Sequence, residues 1–341
     1  MKPLQDVRVV EFEAPGPVTW AGMMLSDLGA QVTRIARPSS DGPWAEPLLR
    51  GRTNVAADLK DAAQRDDALR IVAQSDILLE GLRPGVMERL GLGPKECFAQ
   101  QPRLVYGRMT GWGQTGPLAQ VVGHDINFLA LTGALHAIGP RDAPAVPLNL
   151  VGDFGGGAML LLVGALSALN QARAPGGEGS VVDAAMVDGT LALMASTFAR
   201  LQQGRWIDAR ESNLVDGGAP FYRTYRTSDD KFVAVGSIEP RFYAALLRGL
   251  ALDAATLPEQ NDRAQWPQLH ESFAQAFASH PRQHWVSVFA GTDACVTPVL
   301  SLAELASDPH LIARGSFVER RGLLQTAPVP RFSKASDVTD G

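Results

Sequence analysis

Three polar side chains stand in surroundings too apolar or too glycine-rich for ordinary solvated surface: His124 in GHDINF, Asp153 in LNLVGDFGGG and Glu239 in VAVGSIEPRF. Imidazole and carboxylate groups move protons at neutral pH, so these three are the candidates for acid–base chemistry. Each also has a plain structural reading. Asp153 precedes a strongly apolar run and could cap its first turn, His124 could cap or be buried by the helix that follows it, and Glu239 could be an acidic residue opening a helix at Pro240. The residues by themselves leave both readings open. A second set is basic: Arg37 in RIARP, Lys60 in AADLK, Arg83 in EGLRPG and Arg89 in MERLG. Scattered cations are mostly solvated. Four of them near the strand ends of one sheet would nevertheless suit a ligand with several phosphates, because guanidinium groups fork onto phosphate oxygens.

Other chemistries lack their residues. There is no G-x-x-x-x-G-K-[ST], no G-x-S-x-G and no H-E-x-x-H. Gly111-Trp-Gly113-Gln-Thr-Gly116 fits the dinucleotide fingerprint, but Pro117 and Gly123 leave no room for the helix that should open there, and it does not follow the first strand. His280 and His284 have the spacing of a helical metal pair, yet Pro281 lies between them and no third ligand is near in sequence, so no metal site is expected.

The elements that must position these residues follow from the hydrophobic pattern. The first third alternates β-rich runs (VRVVEF, QVTRIA, NVAADL, DILLEG, RLVYGRM) with helical ones, which is the rhythm of a βαβ parallel sheet. Pro17 and Gly29 bracket a capped helix over 18–28. Ligands of such sheets bind beyond the strand C-terminal ends, which directs attention to 14–17, Arg37, Lys60, 81–83 and the segment from Met109 onward. Helical periodicity continues over 125–138, 154–172 and 184–203. The segment FYRTYRTSDDKFVAVGS reads as a hairpin, followed by helices over 241–250, 266–279 and 284–291 and a strand in CVTPVL. The expected organisation is a large Rossmann-like α/β domain over 1–184, a linker helix over 185–221, a small α+β domain over 222–308 and a return segment over 309–341.

Composition narrows the class. The 341 residues carry 31 Lys and Arg against 36 Asp and Glu, so nucleic acid is not an expected partner. Charged residues make up only 20% and hydrophobic residues 45%, which suggests surface hidden in a subunit interface. No run of apolar residues is long and unbroken enough to read as a membrane span, the N-terminal segment lacks a signal-peptide pattern, and the two cysteines fit a reducing compartment, so the cytoplasm is the default location.

Taken together, PGP-x10-LGA-x3-RI-x-RP, EGLRPGVMERLGLGP, GRMTGWGQTGP, GHDINF, LNLVGDFGGG and VVDAAMVDG resemble the family III CoA-transferase superfamily, most closely its α-methylacyl-CoA racemase branch. The resemblance spans nearly the whole chain, including FVAVGSIEPRFY and DACVTPVL. It implies an interlocked homodimer with the active site between the large domain of one subunit and the small domain of the other. His124 and Asp153 would be the two acid/base groups, with Glu239 hydrogen-bonded to His124. An acyl-CoA thioester would be the substrate, with no cofactor. CoA contacts would carry over to Arg37, to Ala57, Asp58, Leu59 and Lys60, to Gly81, Leu82 and Arg83, to Arg89, and to Gly123, Asp125, Ile126, Asn127 and Phe128. The implied reaction removes a proton beside the thioester carbonyl, passes through an enolate and returns a proton to the opposite face, which needs two bases.

Three expectations depend on geometry. Helix N–H groups lower the carboxyl pKa of Asp153 while apolar burial raises it, and the sequence does not decide the balance. Gly155, Gly156 and Gly157 could let a backbone N–H reach the enolate oxygen. Met109, Met186, Met194, Phe221 and Tyr222 are candidates for a soft acyl surface. The competing functions are a CoA transferase using Asp153 as nucleophile, a silent CoA-thioester-binding protein and a nicotinamide dehydrogenase, the last lacking its glycine fingerprint after the first strand.

Overall fold

Val9, Val10 and Phe12 in the first strand and Ile77, Leu78 and Leu79 in the fourth are all buried, so these strands are covered on both faces, as a parallel sheet between helices requires. The computed structural model describes residues 2–14, 16–38 and 47–337; Pro15, part of the PGP motif, lies outside them. Strands β1 (Arg8–Phe12), β2 (Gln31–Ala36), β3 (Arg52–Ala56), β4 (Ile77–Glu80), β5 (Val105–Thr110) and β6 (Ser180–Ala185) pair in parallel in the order β3-β2-β1-β4-β5-β6. In the register Val10 faces Thr33 on one side and Leu78 on the other. The strand order reverses between β1 and β4, which opens a crevice beyond their C-terminal ends.

Helix α1 (Pro17–Asp27) begins at Pro17 and is followed by Gly29 at φ +108°, matching the start and stop signals. Gly22 lets it lie directly over a buried ion pair: a Cβ there would fall 1.9 Å from Glu11 Oε2, which accepts from Arg52 at 2.8 Å. Helices α2 (Ala62–Val72), α3 (Val86–Arg89) and α4 (Pro94–Gln100) complete the first half.

The three longer periodic segments are broken where the sequence suggested continuity. The first becomes α5 (Asp125–Leu131) and α6 (Ala134–Ala137), separated at Gly133, whose φ of +78° cannot continue a helix. The second starts at Leu150 rather than Phe154: a π-helix, Leu150–Met159, runs directly into α7 (Leu160–Arg173). This 24-residue helix is long and apolar enough to cross a membrane by length and composition, a possibility the broken apolar run had hidden; Leu161, Leu162, Ala165 and Leu169 are instead packed in the core with Val105 and Ala184. The third splits into α8 (Met186–Leu193) and α9 (Ala195–Gln202).

The chain forms two compact units, one of Met1–Ala134, Pro147–Ala195 and Phe317–Gly341, the other of Leu135–Val146 and Ser196–Ser316. Residues 135–146 therefore differ from their expected place in the first domain. Arg210 explains this: it donates to the carbonyls of His136, Pro140 and Arg141 and so ties that excursion to the second unit. The second unit carries the expected hairpin, β7 (Tyr222–Arg226) with β8 (Phe232–Gly236), and β9 (Val296–Val299) adds antiparallel to β8. Helices α10 (Pro240–Gly249), α11 (Trp266–Ala278) and α12 (Arg282–Phe289) enclose Phe221, Tyr225, Phe273 and Phe277. Phe221, a candidate for the acyl surface, is instead a fully buried core residue edge-on to Tyr243 and Trp266.

The π-helix touches α8 through backbone. A Cβ on Gly189 would lie 1.7 Å from Gly156 O, and one on Gly156 would lie 2.7 Å from Thr190 N. Gly189→Ala is expected to lower stability by about 1–3 kcal/mol, the usual cost of overpacking, seen as a lower urea midpoint; an unchanged midpoint would refute this contact.

Candidate active site

The crevice between β1 and β4 holds a cavity of about 340 Å³ lined by Gly16–Val18, Gly81–Pro84, Met109–Trp112, Val121–His124, Phe128, Asp153 and Met186, among others. His124 and Asp153 thus share one cavity, although 28 residues separate the helices' joining contacts in sequence. Each is placed by a different device.

His124 occupies the N-cap of α5 in extended conformation, where its backbone N–H donates to Asn127 Oδ1 at 3.0 Å. That contact uses the backbone N–H and not the imidazole. The ring is exposed. The floor beneath it is aromatic: Phe128 meets Trp112 edge-on at 4.8 Å, and a Cβ on Gly111 would fall 2.0 Å from the Phe128 ring. Gly111 of the dinucleotide-like run is therefore a packing glycine in a loop, with no helix opening behind it.

Asp153 lies in the first turn of the π-helix and does not cap it, contrary to its simplest reading; the N-cap is Asn149. The Asp153 backbone N–H donates to Asp125 Oδ1 at 2.7 Å, and its Oδ2 accepts from Asn149 Nδ2 at 3.2 Å. Asp125 is buried at 7% exposure, and its Oδ2 has no hydrogen-bond partner among the described residues. Burial pushes the Asp153 carboxyl above its ordinary range, the Asp125 charge adds to the rise, and the Asn149 hydrogen bond and nearby His124 oppose it. The balance left open by the sequence falls on the raised side. π-Helical segments recur at functional sites because they redirect side chains within a helix.

Gly156 is closed off by Gly189 and Thr190, and Gly157 abuts Met186 Cγ and Met109 Sδ. Their small size is used for helix packing. Met109 and Met186 do line the cavity, and Met194 caps α8.

The basic set divides. Arg37, Ala57, Asp58, Leu59 and Lys60 line a second cavity of about 290 Å³ with Phe12, Glu13 and Val86. Arg37 is held by Glu13, which accepts its backbone N–H at 3.0 Å and approaches its guanidinium at 3.7 Å, leaving the side chain 80% exposed. Arg83 lines the first cavity, and Leu82 lines both, so the Gly81–Leu82–Arg83 loop is the wall between them. Arg89 is exposed at the end of α3 and lines neither. Of the GHDINF segment, Gly123 and Phe128 line the first cavity, Asp125 turns inward to Asp153, and Ile126 and Asn127 are exposed.

Glu239 belongs to the second unit. It is the exposed N-cap of α10 and its carboxylate does not cap the helix. It is near enough to Cys295 for its charge, after burial, to help raise that thiol. Tyr222 and Cys295 line a further cavity of about 500 Å³ in this unit. The stacked His280 and His284 rings, 4.0 Å apart, gather no further ligand, and among the described residues no group of three or more His, Cys, Asp or Glu could hold a metal.

The profile of CoA-transferase family III matches residues 4–340. The chain belongs to this family. Within family III it is 43% identical to the α-methylacyl-CoA racemase of Mus musculus, over 98% of this chain and 88% of the mouse protein. It is 41% identical to the α-methylacyl-CoA racemase of Homo sapiens, over 97% and 89% of the two chains. The crystal structure of a CaiB/BaiF family protein from Brucella suis superposes with a TM-score of 0.83 at 23% identity, covering 98% of this chain and 93% of that one, which shows the shared fold.

Asn149 and Asp125 were not recognised as partners of Asp153. The i, i+4 spacing of Asn149 and Asp153 was the available signal, obscured because the helix was expected to start after both. A carboxyl raised in the folded state weakens the fold once pH exceeds its unfolded value, and the penalty is absent when the group is protonated in both states. Asp153→Asn is therefore expected to raise the melting temperature at pH 7 and to leave it unchanged near pH 3. An equal shift at both pH values would contradict a raised Asp153 carboxyl.

Proposed function

We propose that this chain is a 2-methylacyl-CoA racemase acting by 1,1-proton transfer. The observation that carries the reading is the shared cavity of His124 and Asp153, one an exposed imidazole and the other a carboxyl raised by burial. In one direction neutral His124 removes the proton at the carbon beside the thioester carbonyl, the bond electrons move onto the carbonyl oxygen as an enolate, and protonated Asp153 gives its proton to the opposite face. The reverse direction exchanges the roles. One side chain takes the proton and the other gives one, so no cofactor is called for.

The CoA portion would run along the second cavity past Arg37 and Lys60, and the acyl portion would meet Met109 and Met186. Glu239 would orient the His124 ring across a homodimer, each site drawing on both subunits. Support for a dimer comes from apolar side chains left exposed on the π-helix, α7 and α8: Leu150 57%, Met159 44%, Val163 58%, Leu191 52% and Leu193 52%.

His124→Ala and Asp153→Ala should each slow racemisation by about 10²–10⁴-fold, the usual worth of a positioned acid or base, while free CoA binds as before. Circular dichroism of a single-enantiomer thioester measures this. Full racemisation in both variants would overturn the proposal. Movement of CoA onto an added carboxylic acid, abolished by Asp153→Ala, would make the chain a transferase with Asp153 as nucleophile.

A further inference from the structure

The loop that separates the two cavities is clamped from beneath by an arginine that reaches neither. Arg108, on β5 and 6% exposed, donates from Nε to Glu80 Oε1 at 2.9 Å and forks onto Glu88, at 2.7 Å to Oε1 and 3.2 Å to Oε2. Glu80 ends β4 and is fully buried; its second oxygen accepts the backbone N–H of Leu82 at 2.7 Å. Glu88 lies on α3, beyond the loop. One guanidinium thus fixes the entry and the exit of the Gly81–Leu82–Arg83 segment. Its face also lies 5.6 Å from the centre of the Tyr106 ring, whose hydroxyl donates to Leu92 O, so the fork has little freedom to turn. The loop has no slack of its own: a Cβ on Gly81 would fall 2.8 Å from Val18 and 2.9 Å from Ala14, and Gly85 needs its φ of +81° to turn into α3.

We propose that Arg108 is a positioning residue for acyl-CoA binding, holding through Glu80 and Glu88 the wall along which the thioester passes from one cavity to the other. This rests on the acyl-CoA reading above. A ligand spanning both cavities meets Leu82 twice, and a wall ordered before binding spares the entropy of ordering it on binding. The clamp lies outside the cavity containing His124 and Asp153, so its loss falls on affinity and leaves the proton transfers intact.

The test measures free coenzyme A by calorimetry and α-proton exchange of a 2-methylacyl-CoA by kinetics. Arg108→Lys keeps the charge and loses the fork; it should weaken CoA binding and raise KM by about tenfold, with kcat within about threefold of the parent. Glu88→Gln, on a side chain 43% exposed, keeps one of the two acceptors and loses the charge, and should shift both in the same direction by about threefold. A purely structural role would lower the folded fraction, and hence kcat, at constant KM. Unchanged CoA affinity in folded Arg108→Lys overturns the proposal, and if that variant does not fold, unchanged affinity in Glu88→Gln does so. Failure of the parent protein to bind CoA would instead refute the acyl-CoA reading, so the two failures are distinguishable.

Discussion

One hydrogen bond ties the site together: Asp125 Oδ1 to the backbone N–H of Asp153, at 2.7 Å. It joins the first residue of the helix capped by His124 to the first turn of the helix that carries Asp153. The approach is close because residue 152 is glycine; a Cβ there would lie 2.5 Å from Asp125 Oδ1. The bond comes at a cost, since a second carboxylate is buried beside the first. That same charge helps keep the Asp153 carboxyl raised, so the device that positions the group also biases it toward the protonated form.

The glycines around Asp153 show how packing and chemistry are divided along one helix. Gly156 and Gly157 give up side chains so that the π-helix can press against α8 and Met186, and Gly152 does so for Asp125. Asn149 and Asp153, one turn apart, keep polar side chains and hydrogen-bond to one another. A helix apolar enough to cross a membrane therefore supplies, at its first turn, a polar wall of a cavity at the reversal point of the sheet.

Much of this was legible in the residues. Alternating β-rich and helical runs indicated the parallel sheet, and Pro17 with Gly29 bounded α1 because ring geometry and positive φ are local properties. The Ser-Asp-Asp turn of the hairpin was equally local. What escaped reading depends on partners distant in sequence. Residues 150–153 joined the helix because its first turn is held by Asp125, and the excursion 135–146 joined the second unit because Arg210 collects its carbonyls. His124 and Asp153 were singled out by their settings and by family motifs, but the tether that places them in one cavity involves Asp125, which the motifs had suggested as a CoA contact.

The central claim is that His124 and Asp153 address opposite faces of one carbon. Proton NMR in D2O, with each pure enantiomer of a 2-methylacyl-CoA presented separately to His124→Ala and to Asp153→Ala, tests it most directly. The account predicts that each variant still exchanges the α-proton of a single enantiomer without inverting it, and that the enantiomer differs between the two variants. Exchange of the same enantiomer by both variants would place the two groups on one face and contradict the two-base site.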